Sequence, residues 1–486
     1  MDDVDVVVVG AGPTGLALAG ELRLAGVACR VLERRAAEPN LTRAFAVHAR
    51  TLELLDARGL AEEVVRRGIQ VRTVAPTPGA VVDLSTIPSR FPMVVMVPQS
   101  GTELVLERRA RELGAEVVRG AEVVGLTQDA DGVRLDVLGP DGPTTVRARY
   151  VVGTDGAHSA VRRLVGIDFV GTQYETHILL ADVRLARPPG EILFGASTQE
   201  GLVLLVPFGD GWFRAIAWDR SREDVPLDEP VTLAELQDAF RRIARDDFGM
   251  GEPRWSTRFL SERRQARSYR AGRVLLAGDA AHVHSPIGGQ GMNTGIQDAL
   301  NLGWKLAATL QGWGPPDLLD SYQRERHPVG ELVLRMTDGA YRLVLSRSRL
   351  GAAWRRLAIR TLLTLPPARR RLAGLLTGIG LRYERPWGAH AWTGRRMPDV
   401  TGTDGRRVYE ALRGGGFVLV DTTGWAATTH GLHHVAVVPV RQVRRAPAAV
   451  LVRPDGYVAW ATDVRDAGAV DAAVREWCRP AVVASA

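Results

Sequence analysis

The chain has 486 residues, 45 % hydrophobic and 24 % charged, a balance that supplies core for several domains and excludes a disordered or fibrous protein. Its formal charge of +7 rests on 62 basic residues of which only Lys305 is lysine; the arginines are dispersed and often adjoin acids, as at Glu107-Arg108-Arg109 and Arg245-Asp246-Asp247, so no polybasic arm for nucleic acid emerges and the skew reads as coding bias. Cys29 and Cys478 stand alone, which excludes a disulfide framework and a Cys-based zinc site and fits a reducing cytosol.

The start runs from two acids into Val6-Val7-Val8-Val9, with no signal-peptide pattern, and no 18-residue apolar stretch follows. A soluble cytoplasmic chain with no membrane partner is the expectation. Asp5–Val9 predicts a buried strand, Gly10-Ala11-Gly12-Pro13-Thr14-Gly15 a tight turn, Leu16–Ala25 a helix, and Val27–Leu32 a second strand closed by Glu33. Gly10 permits the turn, Gly12 lets backbone approach a pyrophosphate, Gly15 allows close helix packing, and the helix start offers free N–H groups and positive dipole. Glu33 stands where an adenosine ribose needs an acceptor. A nucleotide-binding βαβ unit is therefore expected.

From Ala121 to Val146 the chain alternates as a β-meander, turning at Asp131-Gly132 and Asp141-Gly142. Tyr150-Val151-Val152-Gly153-Thr154-Asp155-Gly156 then reads as strand, turn and helix start. Arg273–Ala277 is another buried strand, delivering Gly278-Asp279, and Pro286-Ile287-Gly288-Gly289-Gln290-Gly291-Met292-Asn293 leads into a helix whose Ile296, Leu300, Gly303, Ala307 and Leu310 keep a buried-face spacing. An Asp at a strand end can hold ribityl hydroxyls, and a helix start aimed at a flavin would stabilise negative charge on its reduced ring. The competing reading is that Asp279 caps a helix.

With these motifs in place, the sequence resembles the class A flavoprotein aromatic hydroxylases, the group of para-hydroxybenzoate hydroxylase, and within it the aromatic-polyketide hydroxylases and rifampicin monooxygenase. The matching features are Gly10-x-Gly12-x-x-Gly15, Asp155-Gly156, Gly278-Asp279, the Gly-Gly-Gln-Gly-Met-Asn run, and Asn301-Leu302-Gly303-Trp304-Lys305-Leu306. The resemblance spans residue 4 to the C-terminus. It implies an α/β chain with a Rossmann-like FAD-binding domain over 1–170 and 263–340, an inserted mixed-sheet substrate domain over 171–262, a helical linker over 341–390, and a thioredoxin-like domain over 391–486. It assigns FAD contacts to Gly10, Gly12, Pro13, Thr14, Gly15, Glu33, Arg34, Arg43, Gln99, the backbone of Val123, Asp155, Asp279, Pro286, Gly289, Gln290, Gly291, Met292 and Asn293.

In the inserted segment, Ile178–Leu185, Leu202–Pro207 and Trp212–Trp218 read as strands and Leu233–Arg245 as a helix. Phe208, Trp212, Phe213 and Trp218, with Met93 and Met96, are candidates either for a slot taking a flat substrate or for one face of a packed sheet. Trp354–Leu357 and Arg369–Leu372 read as linker helices with arginines in solvent. Strands at Gly416–Val420, His434–Val438 and Ala449–Val452 precede an Asp455-Gly456 hairpin; this tail has no cysteine pair, so it is expected to serve structure or a homo-oligomer contact.

The family's chemistry implies hydroxylation of an aromatic polyketide in antibiotic biosynthesis, through a flavin C4a-hydroperoxide formed from O2 and NAD(P)H, NADPH being preferred. There is no second GxGxxG unit for the nicotinamide. Arg43 is expected to stabilise anionic flavin or substrate, His48 to face the substrate, and His282 and His284 to support the site rather than bind metal. Inactivation of a rifamycin-type antibiotic, Baeyer–Villiger oxygenation and flavin redox chemistry without oxygen insertion stay open.

Overall fold

A computed structural model describes residues 3–37, 44–77, 80–190, 192–286, 288–344, 361, 363–422, 435–441 and 446–478. Arg43 and the segment Trp354–Leu357 lie outside the described residues.

The valine run does what its burial requires. Asp3–Val9 is the central strand of an eight-stranded sheet, with Val6, Val7 and Val8 fully buried. It pairs in parallel with Cys29–Glu33 on one side and Gly142–Gly153 on the other, and the parallel set is extended by Glu116–Arg119 and Val274–Leu276. Each parallel strand thus delivers its last residue to one edge, the carboxyl-end location at which open α/β sheets bind ligands. The expected meander is present as Glu122–Gln128, Val133–Gly139 and Gly142–Gly153.

Two helices back this sheet at short range. Pro13–Leu24 and Gln290–Gln311 approach so closely that a side chain at Gly303 would stand 2.5 Å from Glu21 Cβ. The later helix was expected to bury one face; instead Met292–Ala308 are buried throughout. Its far side carries Trp304 and Ala308 into a second apolar cluster with Phe417, Leu419 and Leu451 of the C-terminal part. A helix covered on both sides has no face left for solvent.

The inserted part is a six-stranded sheet in the order Phe194–Ser197, Gly201–Pro207, Phe213–Asp219, Phe169–Val183, Trp255–Ala266 and His282–Val283. The Leu233–Ala244 helix covers one face through Leu236, Ala239, Phe240 and Ile243. Arg264 and Gln265 pair with Val283 and His282, so the sheet is stitched to the segment carrying Asp279.

The Asp320–Val344 helix runs across residue 340 without a break, although a linker was expected to begin there. Pro366–Leu376 forms the described part of the expected helical pair, with Arg370 and Arg371 exposed. Beyond it, Val435–Pro439, Phe417–Asp421, Ala449–Val452 and Val458–Thr462 make a four-stranded mixed sheet, the first pair parallel. The Ala467–Trp477 helix, not anticipated from sequence, packs Val470 and Val474 on it. Cys29 and Cys478 are free and buried. Among the described residues no helix is long and apolar enough to cross a membrane.

Candidate functional site

At the sheet's carboxyl edge the first turn folds tightly on itself. A Cβ on Gly15 would stand 2.0 Å from the carbonyl oxygen of Gly10, whereas one on Gly12 would meet nothing within 4 Å. Gly12 therefore faces open space. The helix that follows has no side-chain cap at Gly12 and Pro13 at its start, and its first backbone bond runs from Leu16 N to Gly12 O, leaving the N–H groups of Thr14 and Gly15 outside the helical ladder. Thr154 ties this turn to the next strand, its hydroxyl donating to the carbonyls of Val9 and Gly10 at 2.8 and 3.0 Å.

Glu33 is buried beside the turn, and one oxygen accepts from Ala11 N at 2.8 Å. The other accepts from the backbone and side chain of Arg35 at 3.0 and 2.8 Å. Burial alone would raise the Glu33 pKa, but the hydrogen bonds from Arg35 and Ala11 hold it below the usual carboxylate value. Arg35, not Arg34, is its partner; Arg34 points to solvent. Ala121 N donates to Glu33 O at 2.9 Å, which places the buried Val123 next to this corner.

Asp155, expected to contact FAD, has its carboxylate engaged within the protein. Its carboxylate accepts from Ser159 Oγ at 2.5 Å and from the N–H groups of Ala160 and Val161 at 2.7 and 3.1 Å, so it caps the Ala160–Leu164 helix. Its backbone abuts Gly10, 3.0 Å from where a Cβ would stand there. Arg162, which the sequence did not single out, bridges the two later motifs by donating to the carbonyls of Ala157 and Ala280, both at 2.8 Å.

Asp279 is the converse case. It is exposed and accepts no hydrogen bond among the described residues, so it caps nothing. The turn that presents it is fixed from below by a fully buried trio: Asp298 accepts from Gly278 N at 3.1 Å and from Arg326 Nε at 2.6 Å, and lies 2.6 Å from His282 Nε2. Burial would raise the Asp298 pKa, yet Arg326 and His282 pull it below the ordinary value. Thr14 wedges between this turn and the long helix, since a Cβ on Gly278 or Gly295 would stand 2.6 or 2.2 Å from its Oγ1.

The glycine run ends the site. Gly289, in the left-handed conformation, precedes the Gln290–Gln311 helix, whose start again has no side-chain cap. Gln290 donates to Leu376 O at 3.0 Å, Gly289 N donates to Pro286 O at 3.0 Å, and Met292 is buried. Asn293 donates to the carbonyls of Ala46 and Gly289 and accepts from His48 N, each at 2.8 Å. Gln99 accepts from Ala44 N at 3.1 Å, so it abuts the residue following Arg43. Burial pushes His48 down to about 4, leaving the imidazole neutral at physiological pH. Four buried polar atoms here make no hydrogen bond among the described residues: His48 Nδ1, His282 Nδ1, His284 Nε2 and Ser285 Oγ.

On the inserted sheet, Ile178, Leu180, Leu202, Ile216, Trp218 and Tyr341 form a buried apolar cluster, with Phe45, Tyr174, Trp255 and Phe259 packed against it. Phe208 and Trp212 lie among arginines: the guanidiniums of Arg214 and Arg254 stand 5.2 and 5.9 Å from the Phe208 ring, and those of Arg184 and Arg254 stand 5.0 and 4.6 Å from Trp212. Arg214 is itself held by Asp182 at 2.8 Å. Met93 and Met96 are core.

Residues 3–337 match the family model described as FAD binding domain, and residues 390–481 the one described as aromatic-ring hydroxylase, C-terminal. Over 510 positions the chain is 41 % identical to the 12-dehydrotetracycline 5-monooxygenase/anhydrotetracycline 6-monooxygenase of Streptomyces rimosus, covering 98 % of this chain and 99 % of that one. Over 469 positions it is 42 % identical to a rifampicin monooxygenase of Streptomyces venezuelae, covering 94 % and 95 %. The solved structure of an aromatic hydroxylase from angucycline biosynthesis is similar with a TM-score of 0.87 at 39 % identity, covering 99 % and 100 %.

Proposed function

The chain belongs to the FAD-dependent aromatic-ring hydroxylases and is a monooxygenase, and on that premise we propose that it hydroxylates a polycyclic aromatic polyketide in antibiotic biosynthesis, with O2 as co-substrate and NADPH in preference to NADH as reductant. The observation that supports the substrate class is the apolar and aromatic cluster on the inserted sheet, where Ile178, Leu180, Ile216 and Trp218 pack with Phe45, Tyr174, Trp255 and Tyr341. Such a cluster favours a flat fused-ring molecule through area and ring contact.

The residues present fit FAD on the donors and acceptors left unused. The Thr14 and Gly15 N–H groups suit the pyrophosphate, Glu33 the ribose, the Val123 backbone the adenine, and the unpartnered Asp279 the ribityl chain. The uncapped start of the Gln290–Gln311 helix, with Gly291, Met292 and Asn293, suits the electron-rich edge of the ring. Pro286, Gly289 and Gln290 shape the loop above it and Gln99 closes the near side, while Arg43 is kept as a flavin contact on the resemblance alone. When bound, FAD supplies the redox chemistry that activates dioxygen. The chain's own part is to hold that ring, to exclude water beneath the inserted sheet, and to orient the phenol. His48, neutral and with Nδ1 free to accept, is assigned to a substrate hydroxyl; Phe208 and Trp212 are assigned to the far end of the slot, where Asp182 pairs with both Arg214 and Arg254. In the proposed division of the chain, 1–170 with 263–340 binds FAD, 171–262 roofs the substrate, 341–390 links, and 391–486 is a cysteine-pair-free thioredoxin-like unit.

A second reading, oxygenation of a rifamycin-type antibiotic in resistance, draws on the full-length likeness to rifampicin monooxygenase. One assay separates the readings. The purified protein is given FAD, NADPH or NADH, isotopically labelled dioxygen, and a panel of naphthacene and angucycline phenols alongside rifamycins. A phenol that stimulates NADPH oxidation and gains one labelled hydroxyl is the expected result. A labelled lactone would indicate Baeyer–Villiger chemistry, labelling of rifamycins alone would favour resistance, and reduced-nicotinamide oxidation yielding only hydrogen peroxide across the panel would refute oxygenation of these substrates.

A further inference from the structure

His284 Nδ1 lies 3.1 Å from the carbonyl oxygen of Ser285. A carbonyl can only accept, so Nδ1 carries the proton. Burial holds the imidazole below its ordinary pKa, against the opposing influences of the Ser285 carbonyl and Asp279. In that neutral form Nε2 bears a bare lone pair, and it is buried with no hydrogen-bond partner among the described residues. The His282 ring, stacked parallel at 6.5 Å, does not supply one, because its own Nε2 is engaged by Asp298.

The space this lone pair borders is the one left by the missing side chain of Gly291. A Cβ there would stand 3.7 Å from Asp279 Oδ1, 3.7 Å from His284 Cε1 and 3.9 Å from His284 Nε2. Two acceptor-only groups therefore line one small opening. A phosphate would bring further acceptors and be repelled by Asp279; a ring carbonyl would bring no proton. Neighbouring hydroxyls on a short polyol bring one donor for each acceptor. Of the parts of FAD, the adenosine ribose is assigned to Glu33 at the first turn, which leaves the ribityl chain.

We propose that His284 is a cofactor-positioning residue whose Nε2 accepts a hydrogen bond from one ribityl hydroxyl of FAD, beside the hydroxyl taken by Asp279. This deepens the proposed FAD site and rests on it. The probes are FAD and its 2′-, 3′- and 4′-deoxyribityl analogues, titrated into apoprotein by flavin fluorescence quenching, with wild type, Asp279→Asn, His284→Phe and His284→Gln. His284→Phe is expected to weaken FAD about fivefold to tenfold. One deoxy analogue should bind wild type and His284→Phe alike, because the lost bond is the same one. His284→Gln, which keeps an acceptor, should fall nearer wild type.

Equal affinity of His284→Phe and wild type for FAD, or an equal loss for FAD and all three analogues, overturns the inference. If Asp279→Asn binds FAD as wild type does, the ribityl assignment of the site itself fails, and this inference with it. Should the phenylalanine variant not fold, the wild type labelled with [15N]histidine decides. The lone-pair nitrogen of His284, assigned through His284→Gln, must shift on adding FAD and stay unmoved with the one deoxy analogue; no shift with FAD overturns the proposal.

Discussion

Replacing Asp298 by Asn removes one charge at constant shape. The carboxylate serves Gly278 N–H and His282 through one oxygen and Arg326 through the other. An amide has only one oxygen, so whichever way Asn is turned its NH2 faces either Gly278 N–H or Arg326. With Arg326 fully buried, an uncompensated guanidinium costs about 3–5 kcal/mol. The expected outcome is that much loss in apoprotein stability by urea titration near pH 7. FAD affinity should fall as well, since the Gly278-Asp279 turn loses its anchor. The folded Asp298 pKa is depressed, so the stability it adds is present above the unfolded value near 4 and fades as pH falls through that range toward the folded pKa; the gap between variant and wild type narrows there. Pairing Asp298→Asn with Arg326→Gln should cost less than the sum of the single changes. A loss below about 1 kcal/mol, or strict additivity of the two changes, refutes the view that this trio holds the turn.

Lys305, fully buried against Glu325 at 2.8 Å, is held by burial at about 8 despite that carboxylate. The unfolded chain then binds the extra proton between about 8 and 10.5, so stability rises with pH across that window by roughly 3 kcal/mol and is flat below it; urea titrations of wild type and Lys305→Met at pH 7.5 and 10 should show the rise only in wild type. Gly12→Ala, facing open space, should leave apoprotein stability within about 0.5 kcal/mol yet weaken FAD, whereas Gly15→Ala, with its Cβ 2.0 Å from Gly10 O, should destabilise the apoprotein itself; similar behaviour of the two by calorimetry and flavin titration contradicts the site geometry. Ending the chain at residue 389 strips the partners of Arg50, which binds Tyr409 OH and Asp455 O, and of Glu325, which binds Arg453 at 2.6 and 2.8 Å; the shortened chain is expected to aggregate and retain no FAD on a sizing column.

The buried strands, the three turns and the free helix starts could be read in the sequence because their causes are local: valine runs, glycine spacing, an acid at a strand end. The ion pair of Arg35 with Glu33 was not singled out there. The bonds of Asp155 to the start of the next helix were not read, because an acid in a Gly/Asp turn at a strand end suits a cofactor contact and a helix start alike. The arginines were hardest to place. Dispersed among acids, they read as coding bias on a solvated surface, yet Arg50, Arg214 and Arg326 are fully buried. Apart from Glu53 beside Arg50, the acids that pair with buried arginines lie far along the chain: Arg214 pairs with Asp182, Arg326 with Asp298, Arg58 with Glu21, and Arg453 with Glu325. No pattern of neighbours announces a contact that only the folded chain creates. The same distance explains why the C-terminal part looked like an appendage, whereas it supplies Arg453 and Asp455 to the core of the nucleotide-binding part.

Lys305 has one further consequence. In a chain with a single lysine, a protease that cuts only after lysine has one bond to attack, Lys305-Leu306, midway along a helix enclosed on both sides. That bond is reachable only while the helix is unwound. The rate of a single nick, read as two fragments on a gel, therefore counts the openings of the element that joins the flavin turn to the C-terminal sheet, and any molecule that binds the closed state slows it in proportion to its occupancy.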